Sequence, residues 1–178
     1  MVVRPLTFIC LLFALAVQGQ VGGNAAYQFL NLGSAPRQVA LGGKVITNFD
    51  YDPTQAFFNP ATINPAMDNQ LALTINNYIG DVSYGTASYA YLYDRRTQVF
   101  HTGVTYINYG SFEGYDAQGN PTNSFSGGEL AVSFGHAKNI PFSNFYVGAN
   151  VKFISSTLEQ YNSTGVAIDA GLLYRDQD

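Results

Sequence analysis

The sequence predicts an all-β protein, and within that class an antiparallel transmembrane β-barrel. Three observations predict it. The 178 residues are 47% hydrophobic and 15% aromatic but only 11% charged, against about 25% charged in ordinary soluble domains. Beyond residue 20 no stretch holds the roughly 20 consecutive apolar residues that a membrane helix needs. From Gln70 onward apolar residues recur with period two, in runs long enough to cross a bilayer as tilted strands. The 13 Tyr and 13 Phe also argue against a disordered chain, which is poor in aromatics.

Residues 1–19 read as a secretory signal peptide. Arg4 gives the positive start, Leu6 to Val17 is almost wholly apolar, and Ala14, Ala16 and Gly19 are small. Cleavage after Gly19 leaves Gln20 first. Cys10 lies inside the apolar run, where a lipidated cysteine does not occur. The mature chain then has no Cys, which excludes disulfides and thiolate metal sites. It carries seven Lys/Arg against twelve Asp/Glu, a net charge of −5, and this argues against nucleic acid as a partner.

Residues 20–69 form a separate segment without strict alternation, holding Pro36, Pro53, Pro60 and Pro65. A short helical piece is expected around Ala25 to Asn31. Gly42-Gly43 marks a tight turn or a close backbone approach. Asp52 is placed to cap a short helix over Thr54 to Phe58, with Pro53 at its first position and Asn59-Pro60 ending it.

Six strands follow, at about 70–78, 82–93, 98–108, 129–138, 145–155 and 164–174. In the first, Leu71, Leu73 and Ile75 alternate with Ala72, Thr74 and Asn76. In the fourth, Leu130, Val132 and Phe134 alternate with Ala131, Ser133 and Gly135. In the fifth, Phe145, Val147, Ala149, Val151 and Phe153 oppose a mixed face of Gly148, Asn150 and Lys152. In the sixth, Val166, Ile168, Ala170, Leu172 and Tyr174 oppose Ala167, Asp169 and Gly171. The second alternates poorly, with Tyr89, Tyr91 and Tyr93 against small residues. Most of these runs approach the ~9–11 residues of a membrane strand rather than the ~5–6 of a globular one.

The connections 94–97 and 139–144 are short, whereas 109–128 is long and 156–163 intermediate. Barrels carry short periplasmic turns and longer external loops, so the latter two are expected outside. The short first external turn, 79–81, does not fit that rule. Tyr78, Tyr93, Tyr106, Tyr109, Phe145, Phe153 and Tyr174 cluster near strand ends as interfacial girdles do. The long loop is the candidate partner surface, with Phe112, Tyr115 and Phe125 as contact or loop-packing residues.

Chemistry is sparse. His101 and His136 lack further metal ligands. Asp50 lacks the spacing of a calcium loop, and Asp52 is a cap. Ser34, Ser83 and Ser133 lack a nucleophile-elbow context. Gly42-Gly43-Lys44 lacks a phosphate-loop spacing. Asn162-Ser163-Thr164 matches a glycosylation triplet, which a bacterial envelope protein would not use. Lys152 and Asp169 point to the barrel interior, where they pair, line a pore or simply wet it. No catalytic residue, cofactor or metal is expected.

Tyr27-Gln28-Phe29-Leu30-Asn31-Leu32, Ser34-Ala35-Pro36-Arg37, Ala40-Leu41-Gly42-Gly43 and Asn59-Pro60-Ala61 resemble the N-terminal region of the PorQ family, outer-membrane proteins of the type IX secretion system of Bacteroidota. Asn69-Gln70-Leu71, Tyr84-Gly85-Thr86-Ala87-Ser88-Tyr89, Tyr106-Ile107-Asn108-Tyr109-Gly110 and Val147 to Phe153 extend the likeness over nearly all of the mature chain. The Leu-Gly-Gly and Asn-Pro-Ala pieces are shared more widely with PorV-like and FadL-like barrels. The resemblance implies a FadL-like barrel of about fourteen strands with an N-terminal segment folded into its lumen. It also implies a non-enzymatic place in the cell-surface attachment complex, holding PorZ alongside PorU and PorV, where cargo with C-terminal signal domains is attached. Family members are nearly twice this length, so the sequence reads as signal peptide (1–19), plug (20–69) and a partial barrel wall (70–178). Six strands without closure would leave two unpaired edges in outer-membrane lipid. Two other readings stand beside this one: a FadL-like transporter of hydrophobic small molecules, and a secreted β-sandwich that binds a partner.

Overall fold

The structure, a computed structural model, describes residues 26–94 and 97–176. The expected signal peptide lies outside the described residues. The described residues are all-β apart from short helical turns. Six strands, β1 (Gln70–Asn77), β2 (Ser83–Asp94), β3 (Gln98–Phe112), β4 (Phe125–Asn139), β5 (Phe145–Leu158) and β6 (Tyr161–Tyr174), form one sheet in sequence order, each antiparallel to the next. A β-sandwich needs a second packed layer, and all the named strands lie in this one sheet. Among the described residues β1 pairs only with β2, and β6 only with β5.

The sheet is inverted relative to a water-soluble one. An ordinary antiparallel sheet buries its apolar face and solvates the polar one. Here Leu71, Leu73, Ile75, Phe134, Phe153, Val166, Ile168 and Leu172 are exposed, Leu73 at 69% and Ile168 at 76%. The opposite face carries Thr86, Ser88, His101, Thr105, Ser133, Asn150 and Lys152, all buried, Asn150 completely. The lead segment covers that polar face, so alternation in sequence becomes apolar-out and polar-in.

The lead segment is built from brief turns. A 3-10 turn over Gln28–Asn31 stands where a helical piece is expected. Helix α1 (Pro36–Ala40) follows, with Pro36 at its first position. The expected helix after Asp52 is a 3-10 turn over Pro53–Phe57, and further 3-10 turns span Pro60–Thr62 and Pro65–Met67. Asp52, Asn59 and Asn64 each precede a proline. Each accepts a hydrogen bond from the N–H two residues on: Thr54 at 2.9 Å, Ala61 at 3.0 Å and Ala66 at 3.0 Å. The proline presets φ and the Asx side chain satisfies a free N–H, so one short device is used three times. Asn59-Pro60 therefore starts a new turn as well as ending the previous one.

Four strand boundaries differ from expectation by three or four residues. β3 continues to Phe112 and β4 begins at Phe125, so the long loop shrinks to 113–124. Phe112 and Phe125 are thus a cross-strand pair rather than loop residues. The intermediate loop at 156–163 is a two-residue turn, Glu159-Gln160, with Glu159 at φ 56°. Polar and glycine-rich composition reads as loop in sequence. Ladder hydrogen bonds are made by backbone, however, and continue through such residues when the partner strand is in register.

Candidate functional site

Two features stand out: the seat of the lead segment on the polar face, and a hairpin arm at one end of the sheet. The seat is made by removing side chains. Gly148 on β5 lies directly opposite Gly171 on β6. A Cβ on Gly148 would fall 2.5 Å from the Pro60 carbonyl carbon and 2.7 Å from Ala61 N, and one on Gly171 would overlap the Asn59 side chain. The Asn59-Pro60-Ala61 turn occupies the bare patch. Asn59 Nδ2 also donates to Ile46 O at 2.7 Å.

Beside this patch, β5 holds the preceding turn by its last carbonyls. Asn150 Nδ2 donates to Ala56 O at 2.5 Å, and Lys152 Nζ to Phe57 O at 2.8 Å. A cation at the C-terminal end of a helical turn is favourably placed for its unpaired carbonyls. Lys152 Nζ also lies 2.7 Å from Asp169 Oδ2 on β6. Of the expectations for these two charges, pairing is the one realised. Thr86 Oγ1 donates to Ser34 O at 2.9 Å, and Tyr84 O–H to Leu32 O at 3.3 Å. Within the segment, Asp50 collects Arg37, Asn48, Gln55 and the Asp52 N–H. It is an organising acceptor.

The residues carrying the resemblance fall mostly in this contact. Tyr27, in the left-handed region at φ 57°, hydrogen-bonds Ser163 Oγ at 2.7 Å. Phe29 is buried with Tyr84, Ile107, Ala131 and Ile154, and Leu30 packs against that cluster. Gln28 opens the 3-10 turn. Gly42 and Gly43 turn the chain after α1 at φ 100° and 101°, and a Cβ on either would meet open space. The requirement there is backbone conformation, not close approach. Leu41, by contrast, is exposed. Missed in sequence were α1 and the load carried by Gly148, Asn150 and Gly171. Their signal was the recurrence of small and polar residues on one face of β5 and β6.

At the other feature, the β3–β4 ladder runs on past its neighbours. Ser83 pairs with Asn108 on one side and Leu158 with Gly127 on the other, yet β3 and β4 still pair at Ser111–Ser126 and Phe112–Phe125. A bulge at Tyr109-Gly110, with Gly110 at φ 76°, lies at the base of the arm. The Phe112 and Phe125 rings stack at 5.2 Å. Beyond them Tyr115 bridges Pro121, and Asp116 Oδ1 accepts from the N–H groups of Gln118 and Asn120 at 2.9 and 2.8 Å. Those bonds from Asn120 and its neighbours hold the Asp116 carboxyl below its usual range. The Tyr115 hydroxyl donates to Glu113 at 2.7 Å, which raises its pKa.

His101 Nε2 lies 2.8 Å from Ser88 Oγ, with the Phe57 ring edge-on, and His136 Nε2 lies 3.2 Å from Gln98 Oε1. The two histidines are not brought together with carboxylates: among the described residues no three His, Cys, Asp or Glu side chains form a metal-sized group. Among the described residues, cavities lie between the lead segment and the wall. One of about 300 Å³ is lined by Phe49, Asp50, Tyr146 and Arg175. Another, of about 160 Å³, is lined by Tyr27, Lys44, Lys152 and Asp169. No described helix is long and apolar enough to cross a membrane. Compared with protein-family models, curated proteins and solved structures, the chain has no match.

Proposed function

We propose that this chain forms the plug and part of the wall of an outer-membrane β-barrel of FadL-like type, and that it serves without catalysis as a component of a type IX secretion attachment complex. The observation that carries the membrane reading is the inverted sheet. Water would not stabilise a face bearing Leu71, Leu73, Ile75, Val166, Ile168 and Leu172 exposed, at about 25 cal/mol per Å² of apolar surface. Lipid would. The covered polar face supports residues 20–69 as a plug and 70–178 as wall, and the single-sided pairing of β1 and β6 supports an arc of a larger closed sheet.

The secretion role rests on the resemblance carried by residues 27–61 and 84–153. In that role the barrel anchors a surface protein of the PorZ kind next to PorU and PorV, after export by a cleaved signal peptide. Two experiments separate the two levels. Heat-modifiable migration of the full-length protein and its recovery with outer membranes test the barrel, and recovery in the soluble periplasm rejects it. Deleting the gene tests the role: release of the anchored surface protein and of cargo into the medium is expected, and unchanged retention rejects it.

A further inference from the structure

We propose that the β3–β4 arm docks a folded protein through a basic surface on that partner, with Tyr115 as the anchor. This deepens the preceding reading and rests on it in one respect, that the end of the wall bearing the arm faces the cell exterior.

Three observations carry the proposal. The first is shape. The arm leaves the wall where β2 and β5 stop pairing, at Asn108 and Gly127; Glu159 N–H still donates to Ser126 O at 3.0 Å, and beyond that residue the arm has no ladder pairing with either neighbour. The second is order within the arm. The Phe112–Phe125 stack, the Tyr115–Pro121 bridge and the Asp116 turn fix it by its own contacts. A pre-organised arm loses little conformational entropy on binding, which is what a recognition element needs. The stack serves as the rigid base. Tyr115, 60% exposed, presents its ring beyond it, and tyrosine is enriched in protein interfaces because it offers a large amphipathic surface on two torsions.

The third is charge. The three connections at this end, 78–82, 113–124 and 159–160, carry Asp81, Glu113, Asp116 and Glu159 and no Lys or Arg. Single-sign fields steer partners of the opposite sign and repel their own. An anionic lipid headgroup is therefore disfavoured, and a Lys/Arg-rich protein face is selected. Glu113, held to the Tyr115 hydroxyl, places a carboxylate beside the anchor where a partner Arg can pair with it.

The test places a photo-crosslinking phenylalanine derivative at Tyr115 of the full-length protein in the cells that make it. Protease is added to intact cells in parallel, to score cleavage within 113–124. Cleavage on intact cells, together with a cross-link to one protein at a peptide flanked by Lys or Arg, is expected. The cross-link yield should fall about tenfold in the Glu113→Lys/Glu159→Lys variant and fall with added salt. Both substitutions leave the Asp116 turn in place, and a Glu113→Gln variant with an intermediate yield separates charge from misfolding. A cross-link to lipopolysaccharide, a cross-link to an acidic or uncharged protein surface, or a yield indifferent to charge reversal overturns the docking proposal. Cleavage only after the membrane is opened overturns the outward reading, and the docking proposal with it.

Discussion

Gly148 and Gly171 face each other across the β5–β6 ladder, and the backbone of Pro60 and Ala61 lies where their side chains would be. The seat of the lead segment is therefore defined by two absent Cβ atoms. Gly148→Ala is expected to destabilise the protein by about 1–3 kcal/mol, the usual cost of overpacking a site that cannot yield, because the obstructing atoms are backbone. Gly85 provides the control. A Cβ there meets only Thr74 O at 3.4 Å, an ordinary contact, so Gly85→Ala should lie within about 0.5 kcal/mol of the parent. Urea midpoints in detergent micelles compare the two, and equal midpoints would reject the seat.

Lys152 joins the wall to the lead segment and to itself, reaching Phe57 O and Asp169 at once. Lys152→Met retains the stem and removes the charge. A loss of about 1.5–3 kcal/mol is expected, the range for hydrogen bonds to charged groups. Asp169 is a third exposed, so water takes over part of its solvation. The double variant with Asp169→Asn should cost less than the sum of the singles, by more than about 0.5 kcal/mol. Protease susceptibility of residues 53–67 should rise in Lys152→Met. Additive energies would mean that the two charges do not act as a pair.

The repeated Asx-Pro turns give a third expectation. Asn59→Ala and Asn64→Ala each remove an acceptor from a capped N–H, at Ala61 and Ala66, and each should cost about 0.5–2 kcal/mol. Asn59 also loses its bond to Ile46 O, whereas Asn64 loses bonds to both Asp50 O and Thr62 O, so Asn64→Ala should be the more damaging of the two. Denaturant midpoints rank them, and the reverse order would show that the Asn64 bonds to Asp50 O and Thr62 O together contribute less than the single Asn59–Ile46 bond.

Exposure alone would call Leu73 and Ile168 ordinary surface positions, where substitutions stay within about 0.5 kcal/mol. Facing lipid, Leu73→Arg or Ile168→Arg should instead cost about 2–4 kcal/mol near the bilayer midplane. Folding yield into vesicles measures this, and tolerance at both positions would sink the membrane reading.

Much of this was legible in the chain because it is local. Period two fixes strands and faces from Gln70 on, and Asp52-Pro53 announces its own capped turn. What was not legible is what depends on contacts distant in sequence. Gly148 and Gly171 look like two more glycines until Pro60 is placed on them. Phe112 and Phe125 look like loop residues until the ladder is seen to continue between them. Lys152 and Asp169 lie on neighbouring strands, diagonally, with Ala167 opposite Lys152 and Asn150 opposite Asp169, a register that sequence alone does not give. In each case the deciding partner lies 13 or more residues away, Phe125 from Phe112 being the nearest, and single-sequence periodicity carries no information on it.

Asp116 gives the last expectation, a dependence on pH confined to the arm. Its carboxyl is held below the usual range by bonds from Asn120, with the Gln118 and Gly119 N–H groups adding to them. A carboxyl whose folded pKa is lowered contributes stability that is fully present above its unfolded pKa of 3.8 and is lost as pH falls through the folded value. The arm should therefore be unchanged from neutral pH down to the ordinary carboxylate range and loosen only below it. Amide exchange at Gln118 and Asn120 reads this directly, since both N–H groups donate to Asp116 Oδ1. Asp116→Asn should remove most of the acid dependence while keeping an acceptor in place. Loosening that begins above the ordinary carboxylate range, or that persists unchanged in Asp116→Asn, would assign the effect to another group.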